Sequence, residues 1–495
     1  RAVVVSVGVA TMVESAAVVV RRLHEAVGRL PYLPLPTTAA LDDLERAQTD
    51  PTLAREWADH AAAVRPVLHE RVVPLLESFL RTKKRLGSAV ERRLYAAMTP
   101  AALLDRMLRK RPLAFLNASD DYRLRDGVTQ GSGGFERIGT ADEGAGPLRL
   151  EQLMSYDEMA IAALLSVAVP THFYNDGDRF NRGRPGDCER TGVYVGVIGA
   201  RYEKVGRMEW AHTLVTAEQN TAENGYGPAA GVAAGVAAST AETMADSGSG
   251  GGGGAGGGCE ERRELLAAWA QLYGREHLPT YDEAVSRRET EPDAFLQVQL
   301  YGCSSPALLD TDLYKRRMRL SIDPFLREAS DRAKEKGAKA YAHVVGLGLG
   351  VWMVDGQQAT LMVQAFEAAL QELAPQLEHI DTLDFSWFPS ECKEATSLRH
   401  GAGCGAIRQV LFSNRNPAAR LPPSEQPLLL VAMYAWDGNA YPGNEYWLGS
   451  LAASGDPAAA CCSAIPLLQN PEVNDALKGG ATVLHPSGCR VEGGV

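Results

Sequence analysis

Positive charge is in short supply along this 495-residue chain: 50 Lys and Arg stand against 61 Asp and Glu, for a formal net charge of −11. Nucleic-acid binding needs spare cations to neutralise phosphates, so that class of partner is not expected. The basic runs Arg81-Thr82-Lys83-Lys84-Arg85 and Arg109-Lys110-Arg111 read as solvated helix faces. Ordered cysteine spacing is missing too. The eight cysteines form no CxxC pair and no regular pattern, which excludes a disulfide scaffold and points to reduced thiols in a cytoplasmic protein. Cys392, His400 and Cys404 have no fourth ligand at a usual spacing, so no metal is expected there. Nor is any apolar run long enough to span a membrane: Ala2 to Val20 is interrupted by Glu14 and small polar residues. Thr11 and Glu14 suggest a helix start instead.

What is present is an ordinary globular composition, 45% hydrophobic and 22% charged, with length for two or three domains or one large α/β domain carrying an extension. Residues 1 to about 115 repeat apolar side chains at helical spacing, as in Val64, Val67, Leu68, Val72, Val73, Leu75 and Leu76, and predict four or five helices. Asp120 to Leu150 is polar and Gly-rich, a mobile connection. Residues 1–150 are therefore expected to be a helical extension and linker, and 151–495 the main α/β domain. Within that domain 152–168 reads as helix and 192–203 as strand. Residues 229–258 are Gly, Ala and Ser of low complexity, a flexible insertion without a role of its own. Helices are expected at 260–275, up to Lys336 and at 358–373, and strands at 340–345, 380–385, 409–413 and 428–435. Strand and helix alternate from about 190 to 470, the pattern of a three-layer α/β sandwich.

The most telling stretch follows the apolar run Leu428 to Ala435, which suits a strand buried on both faces. Asp437, Asn439, Asn444 and Glu445 gather directly after it. Asp456 comes next in Ser454-Gly455-Asp456-Pro457, which reads as a helix start with Asp as N-cap. Open α/β sheets bind ligands at the C-terminal ends of their strands. A simple turn explains Asp437-Gly438-Asn439 but not the other acids. A second loop, Gly346-x-Gly348-x-Gly350, lies between a strand and a helix, as phosphate cradles do. Its spacing is not GxGxxG and no acid follows at the right distance, which disfavours a dinucleotide dehydrogenase. Carboxylates beside a phosphate cradle suit cleavage of a glycosidic bond. In Leu309 to Ser321, Asp310 or Asp312 is a candidate for ribose or adenine and Arg317 or Arg319 for phosphate, against a salt-bridged helix face. Tyr194, Tyr202 and Trp210 are either core or an adenine platform.

The runs Gly192 to Glu203, Met208-Glu209-Trp210, Gln219-Asn220-Thr221, Asp312 to Ser321, His343 to Trp352, Ser413 to Ala419 and Trp436 to Asp456 together resemble the MavL-type macrodomains. The resemblance covers roughly residues 170–475 and is most specific in its last hundred. It implies a macrodomain-like α/β/α sandwich that binds ADP-ribose and hydrolyses mono-ADP-ribose from arginine side chains of proteins, without cofactor. By this likeness Gly346, Gly348, Leu349, Gly350, Val351 and Trp352 form a diphosphate loop. Asp437, Glu445 and Asp456, with Asn439 and Asn444, form the catalytic loop, and Asp312 and Arg319 add substrate contacts. The catalytic loop follows the phosphate loop, a permuted order relative to ordinary macrodomains. The expected partners are a mono-ADP-ribosylated protein and ADP-ribose itself. The alternative is a module that reads ADP-ribose without cleaving it.

Overall fold

The computed structural model describes residues 14–32, 36–204, 206–228, 257–300, 306–424, 426–437, 439–478, 482–484 and 490–491. Their centre is one nine-stranded mixed sheet. Its strands, in chain order, are β1 (Arg65–His69), β2 (Leu165–His172), β3 (Thr191–Val197), β4 (Lys339–Val344), β5 (Ile380–Ser386), β6 (Gln409–Ser413), β7 (Leu428–Ala435), β8 (Thr482–Leu484) and β9 (Arg490–Val491). Across the sheet they run β6-β5-β4-β7-β3-β2-β1-β8-β9. The first five are mutually parallel, and β2 is antiparallel to both β3 and β1.

Alternate side chains of these strands feed two separate cores, as the period-two geometry of a strand requires. Ala340, Ala342, Val344, Val431, Met433, Val193 and Val195 pack beneath the helices Thr311–Glu335 and Gln357–Glu372. Leu430, Ala432, Tyr434, Tyr194 and Val167 join the opposite core, with Val20, Trp57, Leu76, Phe79 and Leu104 of the N-terminal helices and Cys461 and Leu467 near the C-terminus. The protein is thus α/β, with helices on both faces of the sheet.

Three stretches depart from the sequence reading. Residues 152–168 are not one helix: Tyr156–Ala162 is helical and Leu165 onward is β2. Every β2 residue is buried, Ser166, Thr171 and His172 included, so no polar face alternates with an apolar one, and periodicity cannot separate such a strand from a core helix. The N-terminal region is not only helical, since β1 enters the main sheet between β2 and β8. The stretch expected to be a mobile connection holds most of a small antiparallel sheet, Ala114–Leu116, Asp121–Arg123 and Gln130–Ser132. Thr11 and residues 229–256 lie outside the described residues; the first described helix starts at Ala16 after Ser15.

Candidate active site at the C-terminal edge of the parallel strands

β4, β7 and β3 are neighbours and run the same way, so the loops after them emerge side by side on one edge of the sheet. The helix after β4, Gln357–Glu372, lies on one face, whereas Gly455–Cys462, after β7, packs on the other. The crevice between β4 and β7 is therefore a topological switch point, where open α/β sheets bind their ligands. The Gly346–Trp352 loop and the Asp437–Asp456 loop flank it.

The glycine loop sits backbone to backbone against the residues after β3. Gly348 has φ +67, and a Cβ there would lie 2.5 Å from the Ala200 carbonyl oxygen and 2.6 Å from its nitrogen. A Cβ on Gly199 would in turn meet the Gly348 nitrogen at 2.4 Å. Only glycine permits this approach. Gly350 faces open space, and Val351 beside it is 96% exposed. Leu349 and Trp352 are half-buried.

In the other loop Asp437, Glu445 and Asp456 bring one carboxylate oxygen each within 4.8 Å of one another. Each is fixed differently. Asp437 leaves the end of β7 and its Oδ2 accepts from Asn444 Nδ2 at 3.1 Å. Asp456 accepts from the backbone N–H of Gly443 at 2.8 Å and of Asn444 at 3.0 Å. It does not cap its own helix, which starts at Gly455 after Ser454 without a side-chain cap. Glu445 stands in a short 3-10 turn, Asn444–Leu448, its Oε2 buried without a partner. Asn439 donates to Met208 Sδ at 3.5 Å and leaves its Oδ1 unpartnered, although the residue is only 5% exposed.

Three carboxyls this close cannot all ionise freely. Burial and the neighbouring Glu445 push Asp437 up to about 7. Burial and the charges of Asp437 and Glu445 push Asp456 up, against its two backbone N–H donors. Burial also raises Glu445, with Glu203 adding to it. Near neutral pH Asp437 is thus poised between its protonated and ionised forms. Three oxygens at this spacing also suit a divalent cation, for which these acids are the available hard ligands.

The sequence reading missed the scaffold behind the loop. Phe115, in the strand Ala114–Leu116, donates its backbone N–H to Asn444 Oδ1 at 2.7 Å and accepts from Asn444 Nδ2 at 3.0 Å. This clamp aims the carboxamide at Asp437. Tyr441 N–H donates to the Pro112 carbonyl at 3.0 Å, and Arg111 stacks on Trp436, 4.1 Å from the ring centre. The contacts are made by backbone atoms and by lone residues 300 positions away in the chain, which no local pattern signals.

Asp312 and Arg319 are engaged elsewhere. Asp312 pairs with Arg275 at 2.9 Å and Arg316 at 2.8 Å; Arg319 pairs with Asp323 and Glu372. Asp310 caps the helix Thr311–Glu335, accepting from Leu313 N–H at 2.8 Å, and Arg317 is fully buried against Glu209 at 2.6 Å. Tyr194, Tyr202 and Trp210 are core residues.

With this geometry in hand, comparison with known proteins is decisive. The sequence pattern of the family described as ADP-ribosylhydrolase MavL-like matches residues 39–487. The chain belongs to that family. The match starts well before residue 170, in keeping with an N-terminal region that supplies a sheet strand and the Asn444 clamp. Two relatives from Drosophila melanogaster, both named ADP-ribosylarginine hydrolases, are 36% and 34% identical to it. The first match spans 436 residues, 86% of this chain and 78% of the relative; the second spans 447 residues, 86% and 79%.

Proposed function

We propose that this hydrolase removes mono-ADP-ribose from modified arginine side chains of proteins. The observation that carries the reading is the meeting of a glycine loop and three carboxylates at one switch point. The arginine linkage rests on the names of the two relatives and on charge. A glycosylated guanidinium is cationic at neutral pH, and an acidic cluster is its natural counterpart.

On this reading the sheet and its two helical layers form a macrodomain-like sandwich with permuted loop order. The diphosphate of ADP-ribose lies on Gly346–Trp352, where backbone N–H groups can reach phosphate oxygens. The distal ribose and the guanidinium face Glu445 and Asp456. Asp437 is the base: water adds to the anomeric carbon as its proton passes to the Asp437 carboxylate. The C–N bond breaks and its electron pair neutralises the guanidinium, so arginine leaves as a guanidine that takes the proton back. Nearby carboxylates stabilise oxocarbenium character in between. Asn439 and Asn444 orient the loop. The described cysteines are free thiols, which fits a cytoplasmic enzyme. No described helix is long and apolar enough to cross a membrane.

The test offers the protein arginine-, serine- and glutamate-linked mono-ADP-ribosyl substrates side by side. Release of ADP-ribose from arginine alone is expected. Tight binding of the arginine-linked peptide with no release would make the protein a reader.

A further inference from the structure

Arg201 stands between the two loops of the site and has no assigned role. It follows β3 directly after Gly199 and Ala200, against which the glycine loop packs. Its guanidinium lies between two rings, 4.9 Å from the centre of Phe115 and 5.6 Å from that of Trp352. The residue is 7% exposed, so the aromatic pair and its surroundings hold it still. Nε donates to Glu203 at 3.1 Å, whereas Nη1 is buried without any partner. A buried arginine donor left unpaired is costly, and such donors are normally satisfied. Here the unpaired atom belongs to the cation next to a phosphate cradle.

Charge makes the same point. A diphosphate approaching this crevice meets Asp437, Glu445, Asp456 and Glu203, and the glycine loop offers it only neutral backbone donors. The positive charge of Arg201 reaches both Asp437 and Glu445. Of the other basic side chains nearby, Lys204 pairs with Asp120, Arg207 lies over Tyr156 at 4.9 Å, and Arg111 is fully buried against Trp436. Resting on the ADP-ribose reading above, we infer that Arg201 is a binding residue for the diphosphate. Its Nη1 donates to a phosphate oxygen, and its charge separates the anionic end of the substrate from the carboxylates that hold the cationic end. Trp352 and Phe115 fix the plane of the guanidinium, and Trp352 thereby couples the glycine loop to the cation.

Arg201→Met tests this. Met fills the slot between the two rings but leaves Glu203 without its partner, so the melting temperature is read beside binding. Calorimetric titrations of wild type and variant with ADP-ribose, ADP and adenosine are compared. The variant is expected to lose about 10- to 100-fold in affinity for ADP-ribose and ADP and nothing for adenosine, the size of a lost charge-assisted hydrogen bond. Should the Met variant not fold, Arg201→Lys replaces it, with ADP-ribose affinity down several-fold and adenosine unchanged. Affinities within twofold of wild type for all three ligands, in a folded variant, overturn the assignment while leaving the hydrolase reading intact. A wild-type protein that binds no ADP-ribose overturns both. A uniform loss across all three ligands, with a lowered melting temperature, makes Arg201 structural.

Discussion

Replacing Asp437 by Asn should make the protein more stable and inactive at once. In the native cluster, burial and Glu445 carry the Asp437 carboxyl from 3.8 to about 7. At 1.36 kcal/mol per pH unit, that displacement corresponds to about 4 kcal/mol withheld from the native state once the carboxyl is forced to ionise. The sign follows from proton counting. Between pH 3.8 and about 7 the folded protein keeps a proton that the unfolded chain has released. Native stability from this group is therefore whole below that window and lost as pH rises through it. An amide keeps the shape, can still accept from Asn444 Nδ2, and never ionises. Thermal melts of wild type and Asp437→Asn at pH 5 and pH 8 measure the effect. The variant's advantage at pH 5 should be about a third of that at pH 8, where it reaches several degrees, with release of ADP-ribose from arginine-linked protein abolished at both. If the variant melts no higher than wild type at pH 8, the acids are not crowded as described.

Four further outcomes follow from the same site. With Asp437 as base, kcat/KM should rise with pH through about 7, and the midpoint for kcat should lie lower because the bound guanidinium offsets the neighbouring carboxylates; a profile that falls across that range would make Asp437 an acid. Asn444→Ala leaves the Phe115 N–H unsatisfied and frees Asp437, so about 2–4 kcal/mol of stability and most of kcat should go, read by melting and by initial rates. Gly348→Ala drives a Cβ to 2.5 Å from the Ala200 oxygen at φ +67 and should weaken ADP-ribose binding measured by calorimetry, at a stability cost of about 1–3 kcal/mol. Exhaustive chelation should leave hydrolysis unchanged if the acids carry protons; activity restored only by Mg²⁺ would assign Asp437, Glu445 and Asp456 to a cation.

Much of the parallel half of the sheet was legible in the sequence. The strand Leu428–Ala435 and the strand before Gly346 are bounded by loops of unmistakable composition, and each strand is an apolar run of the right length. The pairing of their two loops was an inference from residue type, and the structure puts the strands side by side. β1 and β2 were not legible. One is five residues set among helices, and the other is buried throughout and lacks a period. Asp456 illustrates a subtler miss. Ser-Gly-Asp-Pro is a sound local helix start, yet the carboxylate turns away to bind the backbone at Gly443, 13 residues earlier. Arg201 was hidden inside a stretch read as strand over 192–203, whereas β3 ends at Val197; only the two rings beside it and its unpaired nitrogen single it out.

The Phe115–Asn444 clamp means that Asp437 is steadied, through Asn444, by a segment more than 300 residues upstream of it. Cutting the polypeptide between Leu116 and residue 150 would therefore do more than shed an appendage. The central sheet would lose β1 from between its partners, and the carboxamide that steers Asp437 would swing loose. On the proposed reading, a clipped fragment carrying all three acids would keep the reagents and lose their aim.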